Sequence, residues 1–122
     1  MSLQFAEQRS GFKRVHRLIV PDCRAQGRST DRTGPLTYHD MAEDMLALLD
    51  SLHVPSVDIM GWSDGGDIGL DLAIHHPERV THLVTFGANF SPDGLNEADV
   101  AWNRTATVDS FGTGMRDGWT AL

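Results

Sequence analysis

The chain has 122 residues, enough for one domain with a modest core. It is 40% hydrophobic and 22% charged, and its formal net charge of −7 comes from acids spread along the whole length. That balance argues against nucleic acid as a partner and gives no hint of attraction to an anionic membrane surface. No apolar run approaches the ~20 residues of a membrane span, and no signal-peptide pattern opens the chain. Cys23 stands alone, which excludes an internal disulfide, makes a reducing, cytoplasmic setting the expectation, and lies near nothing resembling a cysteine-enzyme signature.

The first predicted element is a strand at 16–23, HRLIVPDC, where a continuous apolar run ends at Pro21-Asp22. The following stretch, 24–36, is rich in Gly, Arg, Ser and Thr and reads as a loop. Tyr38, Met41, Ala42, Met45, Leu48, Leu49 and Leu52 then recur at the spacing of one helix face. Thr37 and Asp40 make a start resembling a capping box, and Val54-Pro55 marks the stop. A second strand is predicted at 56–61, SVDIMG, and a second helix from Gly65 to His76, stopped by Pro77. The stretch 79–89, RVTHLVTFGAN, reads as a third strand.

This alternation predicts an α/β fold, a three-layer sandwich with a parallel sheet and right-handed crossovers. Residues 1–90 would form that core. Residues 91–122, with Trp102, Val108, Phe111, Met115 and Trp119 scattered among Gly, Asp and Thr, read as an irregular or weakly helical arm.

Gly61-Trp62-Ser63-Asp64-Gly65 fits Gly-x-Ser-x-Gly at the point where a predicted strand meets a predicted helix. That is the setting a nucleophile elbow requires. A tight turn lifts Ser63 above the sheet in a strained conformation, and Gly61 and Gly65 remove side chains that would obstruct it. The backbone N–H groups after the serine lie at a helix start without helical partners. They can stabilise an oxyanion, that of Asp64 first. Gly66 and Gly69 would let the helix pack closely on neighbouring backbone. The plain alternative is a glycine-rich strand-to-helix turn and nothing more.

At these residues the sequence resembles the α/β-hydrolase family. LIVPDCRAQGRST is similar to the family's fourth strand and the loop after it, with Ala25-Gln26 in place of the more usual glycine and histidine. MGWSDGG resembles the fifth strand and elbow, and HHPERVTHLVTFGAN the end of the next helix with the sixth strand. The chain thus looks like strands four to six with helices B and C. The Trp-Ser-Asp-Gly-Gly form is most similar to the biphenyl-hydrolase-like and valacyclovir-hydrolase branch of serine esterases.

A serine needs a base, and the base an orienting acid. The family's chain order, serine then acid then histidine, cannot be completed here. The last histidine is His82, and the acids before it, Asp64, Asp67, Asp71 and Glu78, sit on or just past the elbow's own helix. His75 and His76 fall at that helix's far end. His16, His53 and His82 fall at or before strand starts, on the sheet edge away from bound ligands. Only His39, in the first turn of the first predicted helix, lies on the catalytic edge, where a helix N-terminus would favour its neutral form. It is the candidate base within the chain, though a surface histidine at a helix start is the plainer reading. The resemblance implies that strands one to three precede this segment, that the triad acid and histidine follow it, and that 92–122 begin a cap.

The reading that follows is a serine hydrolase of small carboxylic esters or lactones, acting through an acyl-enzyme at Ser63. No metal or organic cofactor is implied. The Asp64 carboxylate would favour a cationic ester such as an amino-acid ester, though an exposed helix-start acid placed for the dipole is the plainer reading. The rival is a non-catalytic α/β module that keeps the elbow as a relic. A homodimer or other homo-oligomer is expected, because segments 17–20 and 57–60 either pair directly, against the family order, or leave an apolar edge open.

Overall fold

The structure is a computed structural model and describes residues 6–30, 33–89 and 91–107. A two-turn helix, α1 (Ala6–Phe12), precedes the first predicted element. Helix α2 (Tyr38–Ser51) begins where its cap predicts. Thr37 is extended at φ −119°, ψ 153°, and its hydroxyl accepts the Asp40 N–H at 3.1 Å while donating to the Asp40 carboxylate. This satisfies one of the amides that the first turn leaves without a helical acceptor.

Strand β1 (Val57–Trp62), helix α3 (Asp64–His75) and strand β2 (Val80–Phe86) form a parallel β–α–β unit, with a single 3₁₀ turn, Pro77–Arg79, between α3 and β2. The register pairs Asp58 with His82, Met60 with Val84 and Trp62 with Phe86. Strand β2 is shorter than the sequence predicts, because Gly87 turns to φ 59° immediately after it.

Helix α3 lies on one face of the sheet at glycine distance. A Cβ at Gly69 would stand 2.8 Å from Leu83 Cδ1 and 3.1 Å from Ile59 Cγ2, and one at Gly66 would stand 2.7 Å from the Ala88 Cβ. Helix α2 packs on α3, and Met41, Ala42, Ile68 and Leu72 close the core between them. Each large apolar side chain so buried contributes about 1.5–3 kcal/mol. Arg79 ties the end of the unit together, donating to Asp50 Oδ1 at 2.7 Å, Pro55 O at 2.6 Å and Val54 O at 3.1 Å. The opposite face of the sheet carries Met60, Trp62, Val84 and Phe86, all exposed.

The strand predicted at 16–23 is not formed. Among the described residues the sheet has two strands, so 17–20 and 57–60 do not pair and the apolar run has no ladder to join. It runs irregularly into the loop instead. Cys23 packs against the core, and Arg24 donates from Nε to Asp44 Oδ2 at 2.5 Å and from a terminal nitrogen to Asp40 O at 3.0 Å.

The chain divides into two compact units, Met1–Ala88 and Asn89–Leu122. The second contains a 3₁₀ turn, Pro92–Gly94, and helix α4 (Glu97–Thr105), which is more regular than its sequence suggests. Asn96 caps it, accepting the Asp99 N–H at 3.0 Å. Among the described residues no helix is long and apolar enough to cross a membrane.

Candidate active site

Ser63 stands at the corner between β1 and α3, exposed, with φ 51° and ψ −124°. Side chains other than glycine rarely take such angles, and holding them costs about 1–3 kcal/mol. Two anchors hold this one. The Ser63 N–H donates to Phe86 O at 2.8 Å, extending the ladder to the corner, and Ser63 O accepts from Gly66 N at 2.7 Å and Asp67 N at 3.1 Å. The serine side chain makes no capping bond to the helix, which leaves its hydroxyl to the solvent side.

Gly61 is buried and essential to the turn. A Cβ there would lie 2.6 Å from the Gly66 amide nitrogen and overlap the Gly65 carbonyl. Gly65 does not play the matching part expected of it: a Cβ there meets nothing within 4 Å among the described residues. The tight second position is Gly66.

The Asp64 N–H, first in α3, has no backbone acceptor among the described residues. Its carboxylate accepts the Tyr38 hydroxyl at 2.7 Å, which joins the start of α3 to the start of α2. Burial, then the Asp64 contact, pushes the Tyr38 hydroxyl well above its ordinary ionisation range. Gln26, Leu36, Thr37, Tyr38, Met41 and Asp64 line an open cleft of about 380 Å³. Cys23 is half-buried, and burial, then the nearby Asp64, Asp22 and Asp44 carboxylates, raises its thiol pKa. That is the opposite of what an activated cysteine needs.

His39 is brought to Asp71, not to Ser63. Its Nδ1 lies 2.9 Å from Asp71 Oδ1, and its ring meets that of His75 edge-on, with centroids 4.9 Å apart. Asp71 is eight residues along α3 from Ser63, about 12 Å at 1.5 Å per residue. The expectation that the helix start keeps His39 neutral is corrected as well: the Asp71 bond, then its charge, raises the His39 pKa. A partner carboxylate within hydrogen-bond reach outweighs the partial charge of a helix end. Three other histidines are also held by polar partners. His75 Nδ1 lies 3.2 Å from Asp71 Oδ1, His76 Nε2 lies 2.8 Å from Glu43 Oε1, and His82 Nδ1 lies 2.7 Å from Asp58 Oδ1 across the strand pair.

Sequence reasoning missed Tyr38, whose place in the helical period marks it as an apolar-face residue. It also missed the meeting of His39 with Asp71 and His75. The spacing of Asp71 and His75, one helical turn, was the visible half of that signal.

Residues 2–109 match the family described as alpha/beta hydrolase fold. A Caulobacter segnis protein named as a carbamate hydrolase, RutD, is 36% identical over 78 residues, which are 62% of this chain and 29% of that one. The 3-oxoadipate enol-lactonase 2 of Acinetobacter baylyi is 36% identical over 78 residues, 64% of this chain and 29% of its own length. The crystal structure of a hydrolase from Pseudomonas aeruginosa superposes with a TM-score of 0.68 at 31% identity, covering 84% of this chain and 40% of that one. The chain thus spans less than a third of the length of these two sequence relatives.

Proposed function

Because the chain belongs to the alpha/beta-hydrolase fold family, we propose that Ser63 is the nucleophile of a hydrolase acting on small carboxylic esters or lactones. The observation that carries this reading is the corner itself: an exposed serine at φ 51°, ψ −124°, followed by an N–H without a backbone acceptor among the described residues. Ser63 Oγ attacks the ester carbonyl, the Asp64 N–H receives the developing oxyanion, and the alcohol departs to leave an acyl-serine that water hydrolyses. The cleft lined by Tyr38 and Asp64 receives the substrate, and the Asp64 carboxylate favours a cationic one. The names of the relatives, a carbamate hydrolase and an enol-lactonase, share a carbonyl joined to a heteroatom leaving group. In this reading the proton-accepting histidine is supplied from outside these 122 residues, and the carboxylate partners of His39, His75, His76 and His82 support it.

The test is incubation of the chain and of Ser63→Ala with p-nitrophenyl acetate, read by intact mass and peptide mapping. Slow acetylation confined to Ser63 is expected, with turnover limited to the residual ~10³–10⁴ over water that survives triad loss. Rapid turnover abolished by Ser63→Ala would place the base within this chain. Acetylation unaffected by Ser63→Ala would sink the nucleophile and favour a non-catalytic module. The same reading includes self-association of the chain. The exposed Met60, Trp62, Val84 and Phe86, and the edge of β1 that no described strand pairs with, favour a second copy as occupant. A stable monomer in light scattering at about tens of micromolar would overturn that part.

A further inference from the structure

The geometry points to a second site: we infer that His39, Asp71 and His75 bind a divalent transition-metal ion, zinc foremost, that pins α2 to α3. The three donors come from two elements. Asp71 and His75 stand one turn apart on α3, and His39 reaches them from the first turn of α2. One ligand atom from each lies within 4.8 Å of the others. The Nδ1 atoms of His39 and His75 are 2.9 and 3.2 Å from the same oxygen, Asp71 Oδ1. A four-coordinate zinc with bonds of about 2.0–2.1 Å holds neighbouring ligand atoms about 3.3 Å apart. Two edges of that figure are therefore already near their final length, and small side-chain rotations admit the ion.

The chemistry of the set agrees. Two imidazoles and a carboxylate suit zinc, nickel or copper, whereas magnesium and calcium ask for oxygen alone. The three groups are crowded: His75 Nδ1 also lies 3.0 Å from Asp71 O, so two imidazoles compete for one residue's oxygens. An ion at their meeting point resolves the competition. The side chains of His39 and His75 are 56% and 49% exposed and that of Asp71 19%, so the ion enters from solvent and water completes its coordination. Asp40 and Glu43 add negative charge around His39. The other histidine–carboxylate contacts do not offer this. Among the described residues His82 pairs with one carboxylate, that of Asp58, and His76 meets Glu43 and Glu78 through opposite ring nitrogens. The site takes no part in the chemistry proposed for Ser63; it clamps the helix that carries the elbow to the helix that carries Tyr38.

The test is calorimetric titration of the full chain with zinc chloride, repeated for His39→Gln, His75→Gln, His82→Gln and Cys23→Ser, each checked for fold by circular dichroism. One zinc per chain is expected, weakened at least tenfold by either His39→Gln or His75→Gln and unchanged by His82→Gln or Cys23→Ser. Zinc should raise the melting midpoint of the parent chain and leave that of His39→Gln where it was, and magnesium should do neither. Absence of zinc binding, binding that survives both His39→Gln and His75→Gln, or binding lost through His82→Gln or Cys23→Ser would each overturn the assignment. If His39→Gln fails to fold, Asp71→Asn carries the same expectation and the same power to refute it.

Discussion

The two ends of α3 position polar groups in opposite ways. At its start, backbone does the work: Gly61 makes room, and the Phe86 carbonyl with the Gly66 and Asp67 amides grips the strained Ser63. At its end, side chains do it. His39 meets Asp71 across 32 residues of sequence and His76 meets Glu43 across 33, both exposed. The difference teaches where a substitution should hurt. A corner built from backbone has no slack, whereas exposed side-chain pairs contribute little singly and are screened by water.

The largest expected effect is therefore Gly61→Ala. The new methyl would strike the backbone of Gly65 and Gly66, which cannot swing aside as a side chain can. A loss of about 3 kcal/mol or more is expected in urea denaturation. Gly65→Ala, with open space around the new methyl, should stay within about 1 kcal/mol of the parent chain. Equal losses at both glycines would show that the corner tolerates nothing at all and erase the distinction between them.

Arg79→Ala is the sharpest challenge to the idea that side-chain ties are weak. Arg79 lies just beyond α3, only 17% exposed, and its fork satisfies two backbone carbonyls and the Asp50 carboxylate. Losing it should cost about 2 kcal/mol, and Arg79→Lys should recover only part, because an ammonium cannot span three acceptors in a plane. A negligible loss would extend the weak-tie rule to every side-chain contact in this region.

Ser63→Gly should act in the other direction. Glycine accepts φ 51°, ψ −124° without strain, so about 1–3 kcal/mol is relieved, offset by the greater freedom of glycine in the unfolded chain. A net gain of about 1 kcal/mol is expected in thermal denaturation, together with complete loss of acetylation at this position. A destabilised Ser63→Gly would mean that the hydroxyl supports the turn and that the strain is not held there for chemistry.

The same contrast explains what could be read from the sequence. The corner was legible because it is local: a strand pattern, a helix pattern and the glycine spacing between them occupy one short stretch, and the Thr37 cap is local in the same sense. The strand at 16–23 was misread because strand character depends on a neighbour, and Leu18-Ile19-Val20 is apolar whether or not a ladder partner exists. Gly65 was misread for a related reason. The motif marks two glycines as equivalent, whereas the packing of α3 against Thr85 and Ala88 makes Gly66 the crowded one. His39 carries no local mark of Asp71, and Tyr38 in a helical period looks like any core aromatic until Asp64 is folded against it.

The smallest effect tests whether the start of α3 has a side-chain tie of its own. Tyr38 is the single tyrosine of the chain, so alkaline titration of tyrosinate absorbance reports it alone. Burial and then the Asp64 contact raise its pKa above the ordinary 10.0, so the folded chain holds this proton more tightly than the unfolded one. The stability so contributed is complete below about pH 10 and is lost as pH climbs toward the folded value, as the unfolded chain releases the proton first. Asp64→Asn removes the charge and weakens the bond while leaving the burial, so the midpoint should fall toward 10.0 without reaching it. Because Tyr38 is still 42% exposed, water screens the contact and the change in stability should be less than about 1 kcal/mol. Titration of the parent chain at the ordinary tyrosine value would mean that Tyr38 and Asp64 do not meet in solution. The start of α3 would then rest on backbone alone, and the cleft that Asp64 lines would lose one of its walls.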